Sequence, residues 1–255
     1  MAETSTVQSL DRAFDLLERL CASRNGMTIS ALCAETGLHK STVHRLLAAM
    51  AARGYVLHDG ASSMYHAGMR LCELAGYVVD NLDIVERARP PMEKLARETG
   101  ETVHLVMREG GEIVYIHKVE SVHSAIRMFS RIGMRRPMYC TAVGKAILST
   151  LDDQEAGEIW EMSDVQAYTP HTIVDDAAFR REIALVRRQG YALDNEENEL
   201  GVRCVGTAIP DYTGRACYAL SISAPLSRMS DERIRQLCGP LLVARSEIAA
   251  VLGGK

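Results

Sequence analysis

Leu10, Ala13, Phe14, Leu17, Leu20 and Cys21 recur at helical spacing and predict an amphipathic helix from about Val7 to Ala22. Asn25-Gly26 ends it. Thr28 is placed to N-cap a second helix that buries Ile29, Leu32 and Cys33. Gly37 supplies a turn. In a third helix, Val43, Leu46, Leu47 and Met50 share one face, while Ser41, Thr42, His44 and Arg45 lie off it. Gly54 stops that helix. Tyr55-Val56-Leu57-His58, an Asp59-Gly60 turn signal and Met64-Tyr65-His66 then predict two short strands, a wing. Residues 69–80 have a helical pattern suited to a connector.

From about Ile84 the periodicity becomes mixed. Pro90-Pro91 mark a kink or a fresh helix start. A helix through Met92, Leu95 and Ala96 stops at Gly100. Strands at 101–107 and 112–119 flank Gly110-Gly111, a hairpin, and another strand covers about 124–129. Helices are expected at 142–151, 153–162 and 175–189, the last stopped by Gly190. Strands at 202–209 and 216–223 flank the turn Asp211-Tyr212-Thr213-Gly214. A final helix starts at Ser230, with Asp231 and Glu232 at its positive dipole end.

Composition narrows the class. Of 255 residues, 47% are hydrophobic and 24% charged, an ordinary globular balance. No apolar run reaches the length of a membrane span, and the N-terminus lacks the basic start and apolar core of a secretory signal, so a cytoplasmic protein without membrane contact is expected. Seven cysteines without a C-x-x-C pair argue against a disulfide framework and a zinc ribbon. A net charge of −4 is no nucleic-acid signature in itself. Residues 1–75 carry seven Lys/Arg against seven Asp/Glu, however, so a DNA-binding surface there must be a local patch.

The third helix offers that patch. Lys40 suits a phosphate. Ser41 and Thr42 are short enough to reach phosphates or base edges, His44 can donate or accept, and Arg45 can bond guanine in a bidentate manner. With two preceding helices and a wing, these residues and Thr28 form the DNA-facing set. The plain alternative is a solvated helix face. His39 and His58 read as surface residues.

A second site is written in two strands. Tyr218, Leu220 and Ile222 point one way, toward a core, while Cys217, Ala219, Ser221 and Ser223 point the other. Val202, Cys204, Gly206 and Ala208 likewise share a side. Small faces on neighbouring strands either leave a hydroxyl-lined volume for a small polar ligand or admit a packed helix. His104, His117, His123 and His171 lack the tight spacing of a zinc motif, so no metal and no cofactor are expected. A thiolate enzyme using Cys140 or Cys204 with His117 is the alternative from another class, though nothing in the sequence brings base and thiol together.

The chain resembles the IclR (isocitrate lyase regulator) family of bacterial transcription factors. The likeness runs through Ser9-Leu10-Asp11-Arg12-Ala13, Lys40-Ser41-Thr42-Val43-His44-Arg45-Leu46-Leu47 and Arg53-Gly54-Tyr55. It continues in Thr99-Gly100-Glu101-Thr102-Val103-His104, Tyr115-Ile116-His117-Lys118-Val119-Glu120-Ser121 and Cys140-Thr141-Ala142-Val143-Gly144-Lys145-Ala146. Gly201-Val202-Arg203-Cys204 and Leu220-Ser221-Ile222-Ser223-Ala224-Pro225 close the set. The resemblance implies an α+β protein: a winged helix-turn-helix over 1–68, a linker helix over 69–83 and a GAF-like α/β effector-binding domain over 84–255. It implies a ligand-responsive regulator of a catabolic operon, without enzymatic activity, bound as a homodimer or tetramer to a palindromic operator in double-stranded DNA. The implied effector is a small carboxylate held by Asp194, Cys204, Ser221 and Ser223, with backbone N–H groups at Ala142, Val143 and Gly144 and an apolar wall at Val202. A helix starting at Ala142 would present its positive end to the carboxylate, and Asp194 would accept from a ligand hydroxyl, favouring a hydroxy or sugar acid.

Overall fold

The computed structural model describes residues 7–80, 83–120, 129–211 and 213–253. They divide into two compact units, within Met1–Asn81 and Leu82–Lys255.

The first unit holds α1 (Gln8–Ala22), α2 (Ile29–Thr36), α3 (Lys40–Ala51), β1 (Val56–Asp59), β2 (Met64–Ala67) and α4 (Arg70–Asp80). Leu16, Leu20, Leu32, Val43, Leu47, Val56 and Tyr65 make its core. Thr28 Oγ1 accepts the Ala31 N–H at 3.2 Å and so caps α2. Gly37 closes the helix with φ 69°, a left-handed geometry that a side chain would strain. The apolar stripe expected on α1 divides in two. Leu20 and the unforeseen Leu16 face the core, whereas Val7, Leu10 and Phe14 are 60%, 53% and 57% exposed. A helix this short packs one stripe inward, and the residues about 100° away stay outside.

The second unit is built on a six-stranded sheet of order β5-β4-β3-β8-β7-β6, with every neighbouring pair antiparallel. Its strands are β3 (Thr102–Glu109), β4 (Glu112–Val119), β5 (Arg135–Pro137), β6 (Ala192–Asn195), β7 (Val202–Ile209) and β8 (Tyr218–Pro225). One sheet face carries Val103, Leu105, Val205, Leu220 and Ile222, all buried, on the side of α5 (Asp83–Thr99) and α9 (Asp231–Val251). The other face meets α6 (Ala142–Leu148), with α7 (Asp153–Met162) and α8 (Asp176–Gln189) behind it. Pro90 and Pro91 neither break nor start a helix; they lie inside α5. The helix expected over 142–151 ends at Leu148, in turns around Ser149–Leu151. The strand expected at about 124–129 lies outside the described residues, apart from Phe129.

Register fixes the functional face. Asp194 pairs with Cys204, and Cys204 with Ser223, in one row across β6, β7 and β8. Gly206 pairs with Ser221, and Ser221 with His104, in a second row across β7, β8 and β3. Period two puts both rows on one side.

Candidate DNA interface and effector cavity

On α3, Val43 and Leu47 are fully buried and anchor the helix. Lys40, Ser41, His44 and Arg45 are exposed on the opposite surface, and Thr42 is half-buried between them. Among the described residues, neither Lys40 nor Arg45 enters an ion pair, so both cations are available to phosphate. His39 caps α3 without a side-chain hydrogen bond. The Lys40 and Ser41 N–H groups therefore face outward at the positive end of a twelve-residue helix. Thr28 differs from the rest: its oxygen is engaged in capping α2, which leaves only its hydroxyl proton to donate. Behind α3, the β1–β2 wing is held at its tip by Asp59, which accepts from Ala61 N–H at 3.0 Å and from the Ser62 hydroxyl. His58 stacks on Tyr65, with ring centres 4.4 Å apart.

In the second unit, one cavity is lined from all six strands. Asp194 comes from β6, Val202 and Cys204 from β7, and Ser221 and Ser223 from β8. His104 comes from β3, Tyr115 from β4 and Arg136 from β5. The sheet must therefore curl, since a flat one would hold its edge strands about 24 Å apart at roughly 4.8 Å per step. Thr141, Ala142 and Val143 roof the cavity at the start of α6, while Phe129, Ser130, Met134, Asn198 and Glu199 complete its rim. The cavity measures about 40 Å³. That admits a few waters and is far below the roughly 300 Å³ of a drug-sized site, so its occupant is small or parts the walls.

Seven of the eight expected effector residues line this cavity. Gly144 does not. Its N–H bonds Thr141 Oγ1 at 3.1 Å. A Cβ there would lie 2.3 Å from the Met138 carbonyl oxygen, so this glycine serves close packing. The α6 N-terminus is thus a smaller donor than the sequence led us to expect.

The electrostatics are set by burial. Asp194 Oδ1 accepts the backbone N–H groups of Glu197 at 2.8 Å and Asn198 at 3.3 Å. Burial nevertheless pushes its carboxyl up to about 7, and Glu197 adds to the rise. Near neutrality this group both donates and accepts. Lys145 is completely buried behind it, 3.0 Å from Glu182 and paired with Glu197. Burial pulls this ammonium down, but the two carboxylates outweigh that and hold it above its ordinary value. His104 is pulled down to about 3 by burial, with Lys118 contributing, so the imidazole is neutral. Its Nε2 lies 2.7 Å from Ser130 Oγ and its Nδ1 3.3 Å from Ser223 Oγ. Tyr115 meets the His104 ring edge-on at 5.2 Å.

The helix-turn-helix and the curled-sheet unit each match a known domain. A family model described as the IclR helix-turn-helix domain covers residues 9–60. A second, for the bacterial transcriptional regulator IclR C-terminal, covers residues 76–250. The chain belongs to the IclR family. Members of this family are DNA-binding transcriptional regulators, not enzymes. The HTH-type transcriptional regulator KdgR of Escherichia coli strain K12 is 37% identical over 251 residues, 98% of this chain and 95% of that protein. The transcriptional repressor IclR of the same organism is 30% identical over 253 residues, 98% of this chain and 92% of its own. The crystal structure of Thermotoga maritima IclR superposes with a TM-score of 0.80 at 32% identity, covering 97% of this chain and 100% of that one.

The alternative of a cysteine-dependent enzyme has no support in this geometry. Burial raises the Cys140 thiol to about 12 and pushes Cys204 up as well, so neither supplies a thiolate at neutral pH. Among the described residues, no cluster of His, Cys, Asp and Glu is arranged to hold a metal ion. No helix among them is long and apolar enough to cross a membrane. His104, Tyr115 and Arg136 are cavity residues that the sequence did not single out as ligand contacts. Their strands were visible or short, but the inward face was fixed only by pairing with β8 and by the curl.

Proposed function

We propose that this chain is an effector-controlled repressor of a catabolic operon for small organic or sugar acids. α3 enters the major groove of a roughly palindromic operator through Lys40, Ser41, Thr42, His44 and Arg45, and Thr28 adds a phosphate contact from the start of α2. A small carboxylate occupies the curled-sheet cavity against Asp194, Val202, Cys204, Ser221, Ser223 and the backbone at Ala142 and Val143. The protein works as a homodimer or tetramer. The exposed Leu10 and Phe14 of α1, with Val7 at its N-cap, support that, because such a stripe is costly to leave in water. Effector binding changes the posture of the paired heads, and groove spacing turns a small rotation into a loss of affinity.

The observation that carries this reading is a helix with two cations unpaired among the described residues and an exposed Ser41 outward, a half-buried Thr42 beside them, and two fully buried anchors inward. Arg45→Ala tests it in a gel shift on the DNA upstream of the chain's own gene. Loss of the guanidinium should weaken operator binding by about 1–3 kcal/mol, roughly tenfold or more. Calorimetric binding of small acids should be unchanged. Equal affinity for operator and competitor DNA in the unaltered protein would refute the reading.

A further inference from the structure

The cavity is basic on its β5 side and acidic on its β6 side. Arg136, Asp194 and Glu199 are the charged residues that line it. Arg135 and Arg136 are neighbours on β5, so their side chains leave opposite faces of the strand. Arg135 takes both nearby acids, Glu112 at 3.2 Å and Glu109. Arg136 has no carboxylate among the described residues; its one hydrogen bond goes from Nη1 to the Arg135 carbonyl oxygen at 3.2 Å. Tyr115 stands on the neighbouring β4, within electrostatic reach of Asp194, Cys204 and Arg136. Tyr115 lines the cavity, and its hydroxyl forms no hydrogen bond among the described residues. Among the described residues, a guanidinium without a counter-ion and a phenol without a partner therefore belong to side chains that line the same small space.

The far end has the opposite character. Asp194 lines the cavity; it has spent Oδ1 on two backbone N–H groups, and Oδ2 has no hydrogen bond among the described residues. Ser221 and Ser223 stand next to it, and Glu199 sits at the rim. Hydroxyls suit that end, and a second carboxylate would be set among acids.

We propose that Arg136 and the Tyr115 hydroxyl hold the carboxylate of the effector, that Asp194, Ser221 and Ser223 hold hydroxyl groups at its other end, and that the effector is a polyhydroxylated monocarboxylate. This rests on the reading of the cavity as the effector site, and it gives that site a polarity and its ligand a class. The carboxylate lies under β4 and β5. A ligand with an acid at each end, or with none, is discriminated against.

Isothermal titration of the full chain with three matched series, aldonates, aldarates and alditols of about four to six carbons, tests this; a missing charge-assisted contact costs about tenfold or more. An aldonate should bind, at least about tenfold more tightly than the aldarate or the alditol of its own length. Arg136→Leu should cost a similar factor for the aldonate and leave the alditol unchanged, and Arg136→Lys should recover part of the loss. Tyr115→Phe should cost several-fold. If Arg136→Leu fails to melt cooperatively without ligand, Arg136→Gln replaces it, and the three series on the unaltered protein decide the question alone. An aldarate or alditol that equals the aldonate overturns the proposal, and so does an aldonate indifferent to Arg136. Acids that bind through Ser221 and Ser223 but ignore Arg136 would leave the effector site standing and remove only its polarity. Failure of every compound to bind overturns the polarity and ligand class, while operator preference in the gel shift separately decides the regulatory reading.

Discussion

Asp194 shows how one residue's surroundings set its behaviour. It sits in a four-residue strand, accepts two N–H bonds that favour its charged form, and is still pushed up to about 7 because burial wins. The folded value lies above the unfolded one of 3.8, so the stability it contributes is complete below about pH 4 and is lost as pH rises through about 7. His104 works in the opposite sense. Its value is depressed to about 3, so its contribution is present above about pH 6.5 and lost as pH falls toward 3. The difference between the unaltered protein and Asp194→Asn isolates the first effect, since the amide does not titrate. Urea unfolding at pH 5 and pH 8 should show the stability gap shifting against the unaltered protein at the higher pH, by about 1.4 kcal/mol for each pH unit between 5 and the folded value of about 7. A gap independent of pH would mean that Asp194 is ionised and well solvated.

At the scale of elements, small residues on β7 and β8 do two jobs that the sequence posed as alternatives. Gly206 and Ala208 admit a helix. A Cβ on Gly206 would lie 2.9 Å from Val143 N and 3.0 Å from the Ala142 carbonyl carbon, so α6 rests directly on that glycine. Ala208 shares a small core with Ala146 of α6. Two residues before Gly206 on β7, Cys204 and its partner Ser223 open onto the cavity instead. Gly206→Ala should therefore lift α6, destabilise the unit by about 1–3 kcal/mol and weaken effector binding, because Ala142 and Val143 form the roof. Thermal melting and titration of the same variant check both effects. A variant with unchanged melting would show that α6 has room to spare. Lys145 fixes the same helix from behind, through Glu182 on α8 and Glu197 after β6.

For the whole molecule, the sequence is most legible where structure is local. Helical periodicity, the Thr28 cap, Gly37 and the Asp59-Gly60 turn describe the DNA-reading unit almost completely. Strands β7 and β8, with their small faces, were also legible, because period two needs no knowledge of partners. β5 and β6 were not, being three and four residues long. Asp inside a strand runs against β propensity, and only the alternation of buried Ala192 and Asp194 marks it. Tyr115 and Arg136 enter the site through a curl that brings the edge strands around one space, which no local pattern records.

The two units matter together only if each biases the other. Fluorescence anisotropy of operator DNA, titrated with the protein in the absence and presence of a saturating aldonate, measures that coupling directly. The account predicts sequence-specific binding that the ligand weakens by about 5–150-fold, the range of ordinary allosteric coupling, and a response lost in Ser221→Ala/Ser223→Ala. An operator affinity that stays the same with the cavity filled would contradict it.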